Sequence, residues 1–155
     1  MLLFGRGKKK LEEKAVAKPS PTVERLKTIC EELGKPELIG AMSNFLYLGP
    51  NRIRVPLESF LSEAQEYETK GNNLRAEVSY RIAGSLSLFR EGTSVNYLNP
   101  GLTFVNHFKA AQRLAADPRK YDSLLSDPKG SLEIARRYYT ELEKKMSEEA
   151  KEEKS

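Results

Sequence analysis

Residues 67–84, YETKGNNLRAEVSYRIAG, decide the fold of this chain. They join two segments in which apolar residues recur at three- and four-residue spacing, which is the pattern of a helix with one buried face. Between the segments stands Gly71-Asn72-Asn73, a turn signal. Glycine readily adopts the positive φ that commonly ends a helix. The stretch therefore predicts two helices folded back on each other.

The helical periodicity continues on both sides of this hairpin. Five helices are predicted first, bounded by Pro21 and Gly34, Pro36 and Gly49, Pro56 and Gly71, Leu74 and Gly92, and Leu102 and Ala116. A short helical turn at 119–126 and a last helix that ends near Met146 follow them. Only NRIRVP, at 51–56, alternates like a strand, and its closing proline favours an extended connector. We therefore predict an all-α fold, a compact antiparallel helical-hairpin array of about six helices with flexible N- and C-terminal tails.

The two ends of the chain differ in composition from the body. Residues 1–20 carry a balance of +4 and end in KPSP, which predicts a flexible basic arm and a proline linker. Residues 21–146 form the predicted helical domain. Residues 147–155, SEEAKEEKS, offer almost no apolar side chain and predict a charged, frayed tail.

Composition narrows the classes of function. The chain of 155 residues is 39% hydrophobic and 31% charged, which is typical of a globular protein. Its net charge of +4 belongs mostly to the basic arm, so a large phosphate-binding face on the body is disfavoured. No apolar run reaches the roughly 20 residues of a membrane-spanning helix. We therefore expect a protein of the cytoplasm without a membrane span.

The sequence offers few residues for chemistry. His107 is the single histidine and Cys30 the single cysteine. One histidine and one cysteine make neither a His-x-x-x-His pair nor a cysteine cluster, so we expect no metal site and no cofactor. Cys30 lies on the apolar stripe of the first helix, as a packing cysteine does. We predict that the protein is not an enzyme.

Residues 57–90 resemble one tetratricopeptide repeat, a helical hairpin of about 34 residues. The resemblance rests on the spacing of aromatic, small and glycine residues, namely Phe60, Ala64, Tyr67, Gly71, Ala76, Tyr80 and Ala83. Two positions depart from the family pattern, because Glu63 replaces the usual leucine and Leu88 the usual proline. The resemblance implies a ligand groove along the first helix of the hairpin, at Glu58, Leu61, Gln65, Glu68 and Thr69.

We predict from these features a protein-protein interaction module or adaptor that binds a protein or peptide. Tyr97, in the loop SVNYLNPG, joins Leu61 and Gln65 as a candidate for an exposed contact surface. The alternative is a nucleic-acid-binding helical protein that uses the N-terminal arm and surface arginines, with Arg52, Arg54, Arg75, Arg81, Arg136 and Arg137 as candidates. The sequence predicts no oligomeric state.

Overall fold

The computed structural model describes residues 21–46, 56–94 and 102–154, and within these residues all regular structure is helical. In chain order the elements are α1 (Pro21–Glu32), a 3-10 turn (Pro36–Leu38), α2 (Ile39–Phe45), α3 (Leu57–Thr69), α4 (Asn73–Thr93), α5 (Thr103–Leu114), a second 3-10 turn (Pro118–Tyr121), α6 (Asp122–Ser126) and α7 (Pro128–Lys154). The all-α prediction is confirmed, and every predicted helix except the last begins and ends within a few residues of its predicted bounds. The predicted arm, most of the predicted connector and Tyr97 lie outside the described residues.

Helix α4 is the centre of the fold because it packs against α3, α5 and α7. Many of its buried residues are small, among them Ala76, Ala83 and Gly84. At Gly84 a Cβ atom would stand only 2.9 Å from the ring of Phe108 in α5. Only glycine therefore lets α4 and α5 approach this closely.

An aromatic cluster fills the space between α2, α5 and the second 3-10 turn. Its four members, Phe45, Phe104, Phe108 and Tyr121, are all fully buried. The ring centroid of Phe45 lies 4.9 Å from that of Tyr121 and 5.1 Å from that of Phe108. Such tilted and offset contacts add about 0.5–1.5 kcal/mol per pair to the free energy of burial. The four rings belong to the main buried core.

Charged side chains align α1 with α7. The guanidinium of Arg25 donates to the carboxylate of Glu141 at 2.5 Å, and Arg137 donates to Glu32. At the start of α7, Lys35 Nζ lies 2.6 Å from Asp127 Oδ2. Pairs at this degree of exposure contribute about 0–1 kcal/mol each, so they orient the helices more than they stabilise them.

Helix α7 extends further than the sequence indicates. We predicted fraying after about Met146, whereas the structure continues the helix to Lys154. The described side chains beyond Leu142 are exposed, so the last turns pack against nothing in the described part of the chain. The division into arm, domain and tail stays a prediction.

Candidate functional site

The turn between α3 and α4 fixes how the two helices lie against each other. Gly71 adopts a φ of +77°. Its N–H donates to the carbonyl of Glu68 at 3.0 Å, and the N–H of Asn72 donates to the carbonyl of Tyr67 at 2.8 Å. These two bonds form a Schellman motif. Because Asn72 then caps α4 through its side chain, three residues suffice to reverse the chain into a hairpin.

A groove of about 310 Å³ lies at the surface between α3 and α4. We call it the hairpin groove and define it by its lining residues, which are Phe60, Glu63 and Tyr67 from α3 and Leu74, Arg75, Val78, Ser79 and Ile82 from α4. Its volume is at the lower end of the range for ligand sites in proteins. The groove is open to solvent, so a partner can reach its lining.

The lining of the hairpin groove is mostly apolar. Leu74 is 71% exposed and is the one large hydrophobic residue fully at the surface in the described part of the chain. Phe60, Val78 and Ile82 beside it are half-buried. A single exposed leucine is ordinary, but one that continues an apolar strip of this length indicates a contact surface.

Two charged residues line the groove, one on each helix. The guanidinium of Arg75 lies 5.6 Å from the ring centroid of Tyr67, in the geometry of a cation–π contact. Glu63 is exposed on the opposite wall and forms no ion pair with any residue that the structure describes. The groove therefore has an acidic wall on α3 and a basic wall on α4.

The predicted binding residues lie beside the hairpin groove and not in it. Leu61 packs against the core, and the carboxylate of Glu68 accepts from Arg113 of α5 at 2.5 Å. Glu58 and Gln65 are exposed on other faces of α3. Tyr97 lies outside the described residues. The structure thus places the four described residues on α3 but brings none of them to the groove.

Sequence reasoning missed the groove because Leu74, Val78 and Ile82 fit the same helical periodicity as the buried residues of α4. A signal was present in α4, whose apolar residues follow two stripes. One stripe contains Ala76, Tyr80 and Ala83, which are buried, and the other contains the three groove residues at spacing i, i+4, i+8. Only one stripe of an amphipathic helix has to face the core.

The arginines predicted to form a basic patch do not gather. Arg137 pairs with Glu32 and Glu141, and Arg136 donates to carbonyl groups at the end of α4. Arg75 lies over Tyr67 in the groove, whereas Arg81 is close enough to Tyr121 to influence its pKa. Arg52 and Arg54 lie outside the described residues. The body arginines are thus spread over several surfaces.

The thiol of Cys30 is placed for packing and not for chemistry. Cys30 is fully buried, and burial raises the pKa of its thiol to about 11, so it stays protonated. No cluster of three or more His, Cys, Asp or Glu residues suited to a metal ion occurs among the described residues. In the same part of the chain, no helix has the length and apolarity needed to cross a membrane.

His107 is half-buried in α5. Burial lowers the pKa of its imidazole below the ordinary 6.5, and the nearby Glu91 carboxylate opposes this shift. A lowered pKa means that the unfolded chain binds the proton more readily than the folded protein does. The folded state therefore loses stability as the pH falls below 6.5.

We expect His107→Gln to flatten this pH dependence. Its melting temperature should fall less than that of the wild type between neutral pH and about pH 5, because His107 is the single histidine and histidine is the side chain whose ordinary pKa lies in that window. Ion pairing lowers the pKa values of the Asp127 and Glu141 carboxyl groups from their ordinary 3.8 and 4.5. The stability that these two groups contribute to the fold is therefore lost only at more acidic pH. Equal pH profiles for variant and wild type would contradict the assignment to His107.

No protein-family profile, no curated protein and no solved structure matches the chain. The resemblance of residues 57–90 to a tetratricopeptide repeat therefore stays a prediction.

Proposed function

We propose that this chain is a non-enzymatic protein-interaction module and that the hairpin groove is its contact surface. One observation carries the proposal, namely the 71% exposure of Leu74 at the end of an apolar strip formed with Phe60, Val78 and Ile82. Apolar side chains that are continuous and accessible supply the desolvated anchors that protein interfaces need.

The shape of the groove favours a helix as its occupant. A groove between two antiparallel helices accepts the ridge of side chains on a third helix, with anchors at three- and four-residue spacing. The apolar residues of α4 in the groove recur every four residues and match that spacing. A phosphate backbone is disfavoured, because it would lie against the Glu63 carboxylate.

Nucleic-acid binding through the N-terminal arm stays the alternative prediction, since residues 1–20 lie outside the described part of the chain. We also propose that the protein is located in the cytoplasm.

The test is a selection of amphipathic helical peptides against the full chain, followed by measurement of each affinity by fluorescence anisotropy. Leu74→Glu should weaken selected peptides by about 100-fold, because a charge would replace the exposed apolar anchor of the groove. Gln65→Glu is the matched control. It introduces the same carboxylate on an exposed position of the hairpin outside the groove, and it should leave the affinities within about twofold.

Two outcomes would count against the groove. One is a selection that yields no peptide with saturable binding. The other is a set of peptides that loses affinity with Gln65→Glu and not with Leu74→Glu, which would place binding on the predicted Glu58–Glu68 surface of α3.

A further inference from the structure

We propose that the hairpin groove binds the same groove of a second copy of this chain, so that two α3–α4 hairpins form a four-helix bundle. This inference rests on the proposed function and names the partner. It is carried by the distribution of charge on the hairpin, in addition to the apolar strip.

The two helices of the hairpin carry net charges of opposite sign. Helix α3 contains four glutamates and no basic residue, whereas α4 contains three arginines and two glutamates, of which Glu77 is buried. In the groove itself, Glu63 stands on the α3 wall and Arg75 on the α4 wall. A docking partner must therefore present a basic edge to α3 and an acidic edge to α4. The hairpin of a second copy has both edges.

Symmetry restricts how two such hairpins pack face to face. A two-fold axis that lies in the interface perpendicular to the helices would place α3 on α3 and α4 on α4. Charges of the same sign would then face each other. A two-fold axis parallel to the helices places α3 of each copy on α4 of the other. Glu63 then faces the helix that carries Arg75 of the second copy, and the pair recurs twice. Complementary charge selects this second arrangement.

The same arrangement covers the exposed apolar residues. Leu74, Val78 and Ile82 lie at spacing i, i+4, i+8 on α4, and Phe60 and Tyr67 lie two turns apart on α3. When the hairpins meet, the strip of each copy packs on the strip of the other, as the core positions of a helical bundle do. The two copies of Leu74 then lie at the same end of the interface, beside the turns between α3 and α4, where each becomes a buried anchor.

Sedimentation equilibrium of the full chain over a wide range of concentrations tests the self-association. We expect a concentration-dependent species of twice the 17.5 kDa chain mass. Leu74→Glu should raise the dimer dissociation constant by about 100-fold. Gln65→Glu should change it by less than about twofold.

A charge-reversal pair tests the arrangement. Glu63→Arg alone and Arg75→Glu alone should each weaken the homodimer by about tenfold or more, because each opposes like charges twice. An equimolar mixture of the two variants should recover dimerisation as a heterodimer, in which every reversed residue meets its opposite. Glu58→Arg and Arg90→Glu are the controls, since they make the same charge changes at exposed positions outside the groove and should have little effect singly or mixed.

Each result has a definite consequence. A wild-type chain that stays monomeric at every concentration overturns the second-copy proposal, while peptide binding by that monomer would leave the proposed function standing. A dimer that Leu74→Glu does not weaken overturns the placement in the groove. A mixture of Glu63→Arg and Arg75→Glu that stays monomeric, with both variants folded by circular dichroism, overturns the packing of α3 on α4.

Discussion

Phe108→Ala is expected to lower the free energy of unfolding by about 3–5 kcal/mol. Phe108 is fully buried and contacts the rings of Phe45, Phe104 and Tyr121, so its removal opens a cavity where three elements meet. The shift is measured as the change in urea midpoint followed by circular dichroism. Lys109→Ala, at the exposed neighbouring position of α5, is the control and should stay within about 0.5 kcal/mol of the wild type.

A double-mutant cycle with Gly84 shows whether the ring sets the distance between α4 and α5. Alanine at a helix interior is intrinsically better than glycine by about 1 kcal/mol. In the wild type, however, its methyl group would stand 2.9 Å from a ring that its neighbours hold in place, so Gly84→Ala should destabilise the fold. In the Phe108→Ala background the same change should be neutral or stabilising. Equal effects in both backgrounds would show that this contact does not exist.

The helices could be predicted because their signals are local. Gly71 ends α3 through bonds to residues of the same turn, and Asn72 starts α4 through a bond to Arg75. Proline at the openings acts through its own fixed φ. None of these signals depends on where the rest of the chain lies. The hairpin therefore follows from a few residues, and the structure confirms it.

The groove could not be predicted because it depends on which neighbour each helix meets. On α3, the stripe of Leu61 and Glu68 turns toward the core and Arg113, which leaves Phe60, Glu63 and Tyr67 to line the groove. These two stripes are adjacent on one helix and differ by about one residue in register. Only the position of α5 decides between them, and α5 is separated from α3 by more than thirty residues of sequence.

The far end of α7 is helical although its side chains pack against nothing that the structure describes. Residues after Met146 have almost no apolar surface to bury, and the sequence therefore predicted fraying. The structure shows helix to Lys154, because a helix satisfies its own backbone hydrogen bonds and can extend beyond the body from which it starts. Absence of packing thus did not exclude regular structure here.

Lys120→Met is expected to lower the free energy of unfolding by about 2–4 kcal/mol, because it leaves a buried carboxylate without its cation. Glu77 in α4 is only 3% exposed. Its Oε1 atom lies 2.7 Å from Lys120 Nζ and accepts the hydroxyl of Tyr121 at 2.8 Å. Burial raises the pKa of Tyr121 well above its ordinary value, so the phenol keeps the proton that it donates. Urea denaturation measures the loss, with Lys109→Met as the exposed control.

The neutral isostere Glu77→Gln separates the effect of charge from that of packing. Glutamine keeps an oxygen that accepts from Tyr121, and Lys120, a third of whose side chain is exposed, can turn toward water. Glu77→Gln alone should therefore cost only about 1 kcal/mol. In the Lys120→Met background it should restore stability, because no buried charge is then left unpaired. A double variant as unstable as the sum of the two single changes would show that Lys120 stabilises the fold by packing alone.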